Sequence, residues 1–249
     1  MMPRLVFSIL LLPLFVGCST PSSSQKKNAE TVHGLEGNVY GTVAASYDGI
    51  GKTYFGREIA HVMGFAGAAW LERDERQEEE NTALAIRRLP VTSQSVVADI
   101  GAGTGYYTFR IAKKVTDGKV YAVDVQDASV NYLRKKANDL GLQNVEVVKG
   151  SAISPNLPEN SVDLAIMVDV YHELEYPHEM LQALRKSLKS DGKILLLEYR
   201  AEDPSIPIKK LHKLSVVQAT KELEANGFEL ISKGDFLPIQ HFLVYQKVD

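Results

Sequence analysis

The sequence predicts an α/β fold: a doubly wound, seven-stranded sheet, mainly parallel with one antiparallel C-terminal strand, plus an N-terminal helical cap. The first observation is that short apolar runs alternate with amphipathic segments from residue 95 onward. Strands that alternate with helices form parallel βαβ units with right-handed crossovers and helices on both faces. The second observation is that the last two apolar runs, 228–237 and 240–248, are joined by a short turn at Pro238. A parallel crossover needs a dozen or more residues, so these two strands are expected to pair antiparallel.

The individual elements follow in order along this part of the chain. Buried-strand runs lie at 95–100, 119–125, 144–150, 161–170 and 192–200. Helices are expected at 106–115, 128–141, 177–189 and 215–226. In the second of these helices Val130, Leu133, Ala137 and Leu140 recur at helical spacing, and Gly141 is the expected C-terminal cap.

Residues 34–89 are expected to form the helical cap, because the segment 38–89 contains few helix breakers other than glycine. If this segment is helical, Tyr47 and Tyr54 lie on one face, since they are seven residues apart. The charged run ERDERQEEE at 72–80 is typical of a solvated helix with ion pairs four residues apart. Trp70, the only tryptophan, is expected in the core rather than in a pocket wall.

The N-terminus has the pattern of a targeting segment. Residues 5–16 form an apolar run after Arg4, too short to span a bilayer and typical of a secretory signal. The small residues Gly17, Cys18 and Ser19 follow this run, and Cys18 is the only cysteine of the chain. This arrangement resembles a bacterial lipoprotein signal. The resemblance implies a signal peptide at 1–17, lipidation of Cys18, a flexible tether at 18–33 and a periplasm-facing, lipid-anchored location in the cell envelope. An ordinary cleaved signal, or a mis-assigned start on a cytoplasmic protein, is the alternative.

Composition excludes several function classes. The net charge of −3 argues against a nucleic-acid partner, whose binding surface is normally a basic stripe. A single cysteine provides neither a disulfide framework nor a thiolate metal site. None of the six histidines falls in a helical pair such as HExxH, so the sequence predicts no metal site.

The strongest motif is the sequence ADIGAGTG, which ends the first strand of the predicted sheet. Glycines at 101, 103 and 105 allow a tight turn and bring a ligand close to the backbone. A dinucleotide fingerprint would need glycine at 106, where the chain has Tyr106. Asp124, at the end of the second strand, should lie beside this loop and accept hydrogen bonds from both hydroxyls of a ribose. The pattern therefore favours an adenosine ligand that lacks a pyrophosphate.

On these residues the segment 90–249 resembles the class I S-adenosylmethionine-dependent methyltransferases, which have a Rossmann-like fold. The resemblance implies a methyltransferase catalytic domain over 90–249 with S-adenosyl-L-methionine as its cofactor. It also implies a set of cofactor-binding residues, namely Asp99, Gly101, Ala102, Gly103 and Gly105 in the first loop, Asp124 and Val125 after the second strand, and Asp169 after the fourth.

Two further cofactor contacts are implied by the resemblance. The family usually has an aspartate near the adenine amino group after the third strand, and this chain has Ser151 and Ala152 there. A backbone amide or the Ser151 hydroxyl is the expected replacement. In similar enzymes an N-terminal Tyr-Asp segment packs over the cofactor, which makes Tyr47 a candidate lid residue.

Methyl transfer needs a base only if the acceptor loses a proton in the reaction. The candidates near the strand ends are His172, Tyr171 and Glu198, and His172 titrates near neutrality in its ordinary state. A histidine bonded to backbone or water at a helix start is an equally good interpretation of His172. The expected function is methyl transfer to a small-molecule acceptor by direct displacement. A protein or peptide methyltransferase and a non-catalytic nucleoside-binding lipoprotein are the alternatives.

Overall fold

A computed structural model of the chain describes residues 39–248. The expected signal peptide at 1–17, the tether at 18–33 and Cys18 lie outside these described residues. Within 39–248, no helix combines the length and the apolar character that crossing a bilayer would require.

The described chain begins with a small antiparallel sheet and not with the helix expected there. Its strands are β1 (Tyr40–Thr42), β2 (Gly49–Tyr54) and β3 (Arg57–Ala60). Phe55 and Gly56 join β2 to β3, and both have positive φ, 48° and 91°, as a two-residue type I′ hairpin turn requires. The helical expectation is wrong for 39–60, because a hairpin turn, and not helical periodicity, organises this segment.

Short helices follow the small sheet. After a 3₁₀ turn at Phe65–Gly67 come α1 (Ala68–Leu71), α2 (Arg76–Glu80) and α3 (Thr82–Arg87). The helical expectation is therefore confirmed only for the second half of the N-terminal segment.

The seven-stranded sheet has the predicted architecture. Its strands are β4 (Val96–Ile100), β5 (Lys119–Asp124), β6 (Val145–Lys149), β7 (Val162–Val168), β8 (Leu188–Tyr199), β9 (Phe228–Gly234) and β10 (Gln240–Lys247). They are arranged in the order β6-β5-β4-β7-β8-β10-β9. The pairs among β4 to β8 are parallel, while β10 runs antiparallel to both β8 and β9. The expected single reversed strand near the C-terminus is confirmed.

Helices cover both faces of this sheet. They are α4 (Thr108–Ala112), α5 (Asp127–Asp139), α6 (Pro177–Ser187) and α7 (Val216–Glu224). Ala98 and Ile100 of β4 pack on the side of α6 and α7, whereas Val97, which precedes Ala98, packs with α3 and α4. This alternation buries both faces, as the continuous apolar runs of a parallel sheet require. Gly141 follows α5 with a φ of 65°, which is the predicted C-terminal cap.

A buried ion pair attaches the small sheet to the large domain. Arg57 on β3 donates from Nε and Nη2 to the two carboxylate oxygens of Glu222 on α7, both at 2.8 Å. Arg57 Nη1 also donates to the backbone oxygen of His172 at 3.1 Å. Both charged side chains are almost completely buried, so the attraction between them must compensate for the hydration that each has lost.

Replacing Glu222 with glutamine should lower the free energy of unfolding by about 3 kcal/mol or more, because Arg57 is left buried without its counter-charge. Urea denaturation followed by circular dichroism measures the effect. The matched control is Asp139→Ala, which removes an exposed pair with Lys135 and should leave the midpoint almost unchanged. An equal response of both variants would show that the Arg57–Glu222 pair does not hold the small sheet in place.

Candidate functional site

The carboxyl ends of β4, β5 and β7 open into a cavity of about 220 Å³, called the first cavity. Seven of the residues expected to bind the cofactor line it, namely Gly101, Gly103, Asp124, Val125, Ser151, Ala152 and Asp169. The remainder of its wall comes mainly from the segment 62–71 and the segment 168–175. The structure thus brings together residues from four separate loops.

The floor of the first cavity depends on two glycines with left-handed backbone. Gly101 and Gly103 have φ values of 71° and 57°. A Cβ at Gly101 would lie 2.6 Å from Val170 Cγ2, and one at Gly103 would lie 2.8 Å from Leu71 Cδ1. Any larger residue would therefore strain the loop and push its neighbours into the cavity.

Asp124 is the acidic group beside this loop. Its carboxylate accepts from Gly103 N at 2.9 Å through Oδ2 and from Gln126 N at 2.8 Å through Oδ1. A carboxylate has about four lone-pair sites, so about two are left for hydrogen bonds from the cavity. Two backbone bonds fix the orientation of the carboxylate, and its remaining acceptor sites suit a vicinal diol.

Asp99, Ala102 and Gly105 lie behind the wall of the first cavity. Asp99 is buried and accepts from Thr108 Oγ1 at 2.5 Å, and burial raises its pKa to about 6. Gly105 has a φ of 76°, and a Cβ there would lie 2.1 Å from Phe109 Cε2. In this structure these residues shape and anchor the loop.

Ser151 lines the first cavity, but its hydroxyl takes part in a local turn. The Oγ atom accepts from Ser154 N at 3.1 Å and lies 3.3 Å from Ser154 O. A backbone amide and the Ser151 hydroxyl are the two expected replacements for the missing aspartate near the adenine amino group. The hydroxyl already makes hydrogen bonds within its own loop.

The segment 62–71 covers the first cavity, and Gln126 attaches it there. Gln126 Oε1 accepts from Phe65 N at 2.8 Å, and its Nε2 donates to Met63 O at 3.0 Å. Sequence reasoning missed Gln126, although its place two residues after Asp124 was an available signal. Tyr47, the expected lid residue, is 97% exposed and does not line this cavity. Its expected alignment with Tyr54 also fails, because Tyr54 is buried in β2.

A second cavity of about 400 Å³ adjoins the first. The two share Val62, Met63, Leu71, Asp169 and Glu173 as walls. Its other lining residues are His61, Trp70, Arg76, His172, Tyr199, Pro207, Ile208, Lys209 and His212. The expectation that Trp70 is a core residue is wrong, because the residue is 45% exposed and its ring stacks against Arg73 at the cavity edge.

Asp169 stands between the two cavities in a strained conformation. Its φ is 54°, a left-handed value that is uncommon for a residue other than glycine and concentrates at functional sites. Gln240 Nε2 lies 3.0 and 2.8 Å from the two carboxylate oxygens, and Arg76 Nη2 lies 4.0 Å from Oδ2. Burial, together with Glu80 and Glu198, raises the pKa of Asp169 well above its ordinary value.

A charged network lies behind Asp169, and it includes part of the run 72–80. Glu80 is buried and accepts from Arg73, Arg76 and the Tyr199 hydroxyl at 2.7 to 2.8 Å. The expectation of a fully solvated helix is therefore wrong for Arg76 and Glu80. Charge spacing alone gave no sign that a buried tyrosine and a buried aspartate would face this helix.

The three candidate catalytic residues are neighbours with different environments. His172 Nδ1 lies 2.6 Å from Glu198 Oε2, and Tyr171 N donates to Glu198 Oε1 at 2.8 Å. Burial lowers the pKa of His172, but the Glu198 carboxylate outweighs this effect, so the pKa is raised above its ordinary value. Of the three, only His172 lines the first or the second cavity, and Glu198 and Tyr171 are completely buried.

Two functional candidates next to His172 were missed from the sequence. His212 Nδ1 lies 3.1 Å from His172 Nε2, and Glu173 is part of the wall shared by the two cavities. His212 is 40 residues from His172 and belongs to a connecting segment after β8, so no local motif links them. Glu173 directly follows His172 in the sequence, and this adjacency could have marked it as a candidate.

A seven-stranded sheet of this order, opening at its carboxyl ends on such a glycine loop and acid, defines the class I S-adenosylmethionine-dependent methyltransferase domains. The family model described as "Methyltransferase domain" matches residues 92–242, more than half of the chain, so the chain belongs to that family. S-Adenosyl-L-methionine is the cofactor of this class, and the first cavity fits it. The glycine loop allows close backbone approach, and Asp124 has acceptor sites for a ribose diol.

Individual relatives agree with this assignment. The chain is 29% identical over 143 residues to the uncharacterized methyltransferase YcgJ of Bacillus subtilis, covering 56% of each chain. It is 26% identical to the ubiquinone/menaquinone biosynthesis C-methyltransferase UbiE of Pasteurella multocida, covering 53% of this chain and 51% of that protein. The chain thus spans about half the length of these curated relatives. A solved SAM-dependent methyltransferase from Aquifex aeolicus superposes with a TM-score of 0.71 and 27% identity, over 75% of this chain and 100% of that one.

Replacing Asp124 with alanine should weaken S-adenosylmethionine binding by about 2 kcal/mol or more, because the ribose loses charge-assisted hydrogen bonds. Isothermal titration calorimetry measures the change. The matched control is Asp127→Ala, because Asp127 lies on the neighbouring helix, pairs with Lys149 and does not line the cavity. An unchanged affinity in the Asp124 variant would mean that the ribose binds elsewhere.

Proposed function

We propose that this protein transfers a methyl group from S-adenosylmethionine to a small-molecule acceptor bound in the second cavity. One observation carries the proposal: the second cavity shares Asp169 and Glu173 with the first, so an acceptor there lies next to the bound cofactor. An enzyme that holds the two reacting groups in contact and correctly oriented removes a large part of the barrier to a direct displacement.

The walls of the second cavity support an acceptor with both an apolar and a polar part. Trp70, Leu71 and Ile208 provide apolar surface. Asp169, His172 and Tyr199 provide polar groups. Such a recess is typical of small-molecule sites, in which apolar walls bind and a few polar groups orient the ligand. A protein or peptide acceptor would require an open groove instead.

The His172–Glu198 pair gives the second cavity a basic group. With its Nδ1 proton donated to Glu198, His172 has a lone pair on Nε2, which lies 3.1 Å from His212 Nδ1 at the edge of the second cavity. The bound cofactor supplies an electrophilic methyl group. His172 can then receive a proton from an acceptor that must lose one, while Asp169 and Arg76 set the charge around the reacting groups.

The decisive experiment is to incubate the protein with methyl-labelled S-adenosylmethionine and a cell extract, and then to separate small molecules from proteins. We expect the label in the small-molecule fraction, and much less of it with Asp124→Ala when the cofactor is below saturation. Label in the protein fraction alone would favour a protein or peptide methyltransferase. Cofactor binding detected by calorimetry without any methyl transfer would favour a nucleoside-binding protein. No binding of S-adenosylmethionine at millimolar concentration would contradict the proposed methyltransferase activity.

We also propose that the protein is anchored to the bacterial cell envelope by a lipid at Cys18, facing the periplasm. The support is the apolar run 5–16 followed by small residues at the cysteine. The Cys18→Ser variant should appear in the soluble fraction after cell breakage, while the wild-type protein sediments with membranes. Ser19→Ala is the matched control and should sediment like the wild type. A wild-type protein found only in the soluble fraction would indicate that the leader does not direct lipidation.

A further inference from the structure

Three potential metal ligands converge at the edge of the second cavity. His172 Nε2 and His212 Nδ1 are 3.1 Å apart. Glu173 Oε1 lies 3.3 Å from His212 Nδ1 and 3.8 Å from His172 Nε2. His172 is buried, and the side chains of Glu173 and His212 are only 12% and 18% exposed. The three atoms form a small triangle that is largely screened from water.

One hydrogen bond and one longer carboxylate contact favour lone pairs that point toward the centre of this triangle. Glu198 lies 2.6 Å from the outer nitrogen of His172, and Asp48 Oδ1 lies 3.7 Å from the outer nitrogen of His212. A carboxylate beside one ring nitrogen favours the proton there and frees the other nitrogen as a ligand. Two imidazole lone pairs and a carboxylate oxygen in mutual contact repel one another unless a cation, either a proton or a metal ion, lies between them.

The electrostatics of the surroundings also favour a cation. Glu173, Glu198 and Asp48 contribute three carboxylates around the two histidines. The cationic side chains nearby are already paired, Lys209 with Asp48 at 2.8 Å and Arg57 with Glu222. Glu173 and Glu198 have no lysine or arginine partner among the ion pairs of the described residues, so these two carboxylates would attract a positive ion at the centre of the triangle.

We propose that His172, Glu173 and His212 form a binding site for a divalent transition-metal ion, such as Zn²⁺, Mn²⁺ or Fe²⁺. Two imidazoles and one carboxylate are a ligand set that these ions take in proteins. At metal–ligand distances of about 2.1 Å, adjacent ligands lie roughly 3.0 to 3.4 Å apart, close to the separations in this triangle. The Glu198–His172 contact is the outer carboxylate that metal-binding histidines commonly have.

A site with three protein ligands keeps at least one coordination position for another molecule, and here the second cavity is beside it. A role in the reaction rests on the proposed function. An acceptor hydroxyl bound to the ion would release its proton to water more readily. The resulting oxygen would attack the methyl carbon, forming the carbon–oxygen bond as the carbon–sulfur bond breaks and leaving a neutral thioether. His172 would then be a metal ligand, and the ion would replace it as the activating group.

The test is a titration of the purified, metal-stripped protein with Zn²⁺ and with Co²⁺, followed by calorimetry and by the visible absorption of Co²⁺. We expect one equivalent of metal per chain, bound in the absence of cofactor and acceptor. His212→Ala and Glu173→Gln should each weaken binding at least about tenfold, because each removes one ligand from a three-ligand set. The matched control is His178→Gln, since His178 bonds to Asn226 away from the triangle and should leave affinity unchanged.

Circular dichroism of each variant establishes that it is folded, and both tested ligands are partly exposed, so neither substitution removes a core side chain. No saturable binding by the wild type at about 100 µM metal would overturn the proposal and would leave a shared proton as the cation between the histidines. Binding that both ligand variants retain would overturn it as well. A protein that binds metal but not S-adenosylmethionine would contradict only the proposed function, and the reverse result would contradict only the metal site.

Discussion

The buried carboxylate of Glu80 is the interaction on which the site depends. It accepts hydrogen bonds from Arg73, Arg76 and the Tyr199 hydroxyl, and so joins α2 to the end of β8. An ion buried in this way is stable only when its partners are all in place, because removing one leaves a charge without solvation. Arg76 held by Glu80 then faces Asp169, the residue between the two cavities. The wall common to both cavities is therefore fixed from behind by one charged network.

The two cavities are built from different kinds of structure. The first is formed at the sheet itself, where a glycine loop and Asp124 sit at the ends of adjacent parallel strands. The second draws most of its walls from outside the sheet, from the segment 61–76 and the connection 207–212. A common scaffold can thus retain one ligand site while its added segments determine the other. In this chain those added segments supply Trp70, Lys209 and His212.

Much of the sheet could be predicted because its signals are local. Each strand between 95 and 248 contains a short apolar run, and Asp124 stands at the end of its strand. The small sheet at 40–60 was missed because its decisive feature is one left-handed turn at Phe55 and Gly56. His212 and Glu80 were missed for a different reason. His212 contacts His172, 40 residues away, and Glu80 accepts from Tyr199, 119 residues away. The sequence alone does not distinguish a buried charged residue from an exposed one.

Asp169 imposes a further constraint on how this site can change over evolutionary time. Its left-handed backbone is tolerated by aspartate, asparagine and glycine far better than by residues with longer or branched side chains. Glutamate would keep the charge but would accept this conformation less readily, and its extra methylene would move the carboxylate away from Gln240. The exchange of aspartate for glutamate, although it conserves the charge, is thus disfavoured by the left-handed backbone conformation at position 169. A methyltransferase of this design can lose the charge at this position through a change to asparagine more easily than it can shift the charge by one carbon.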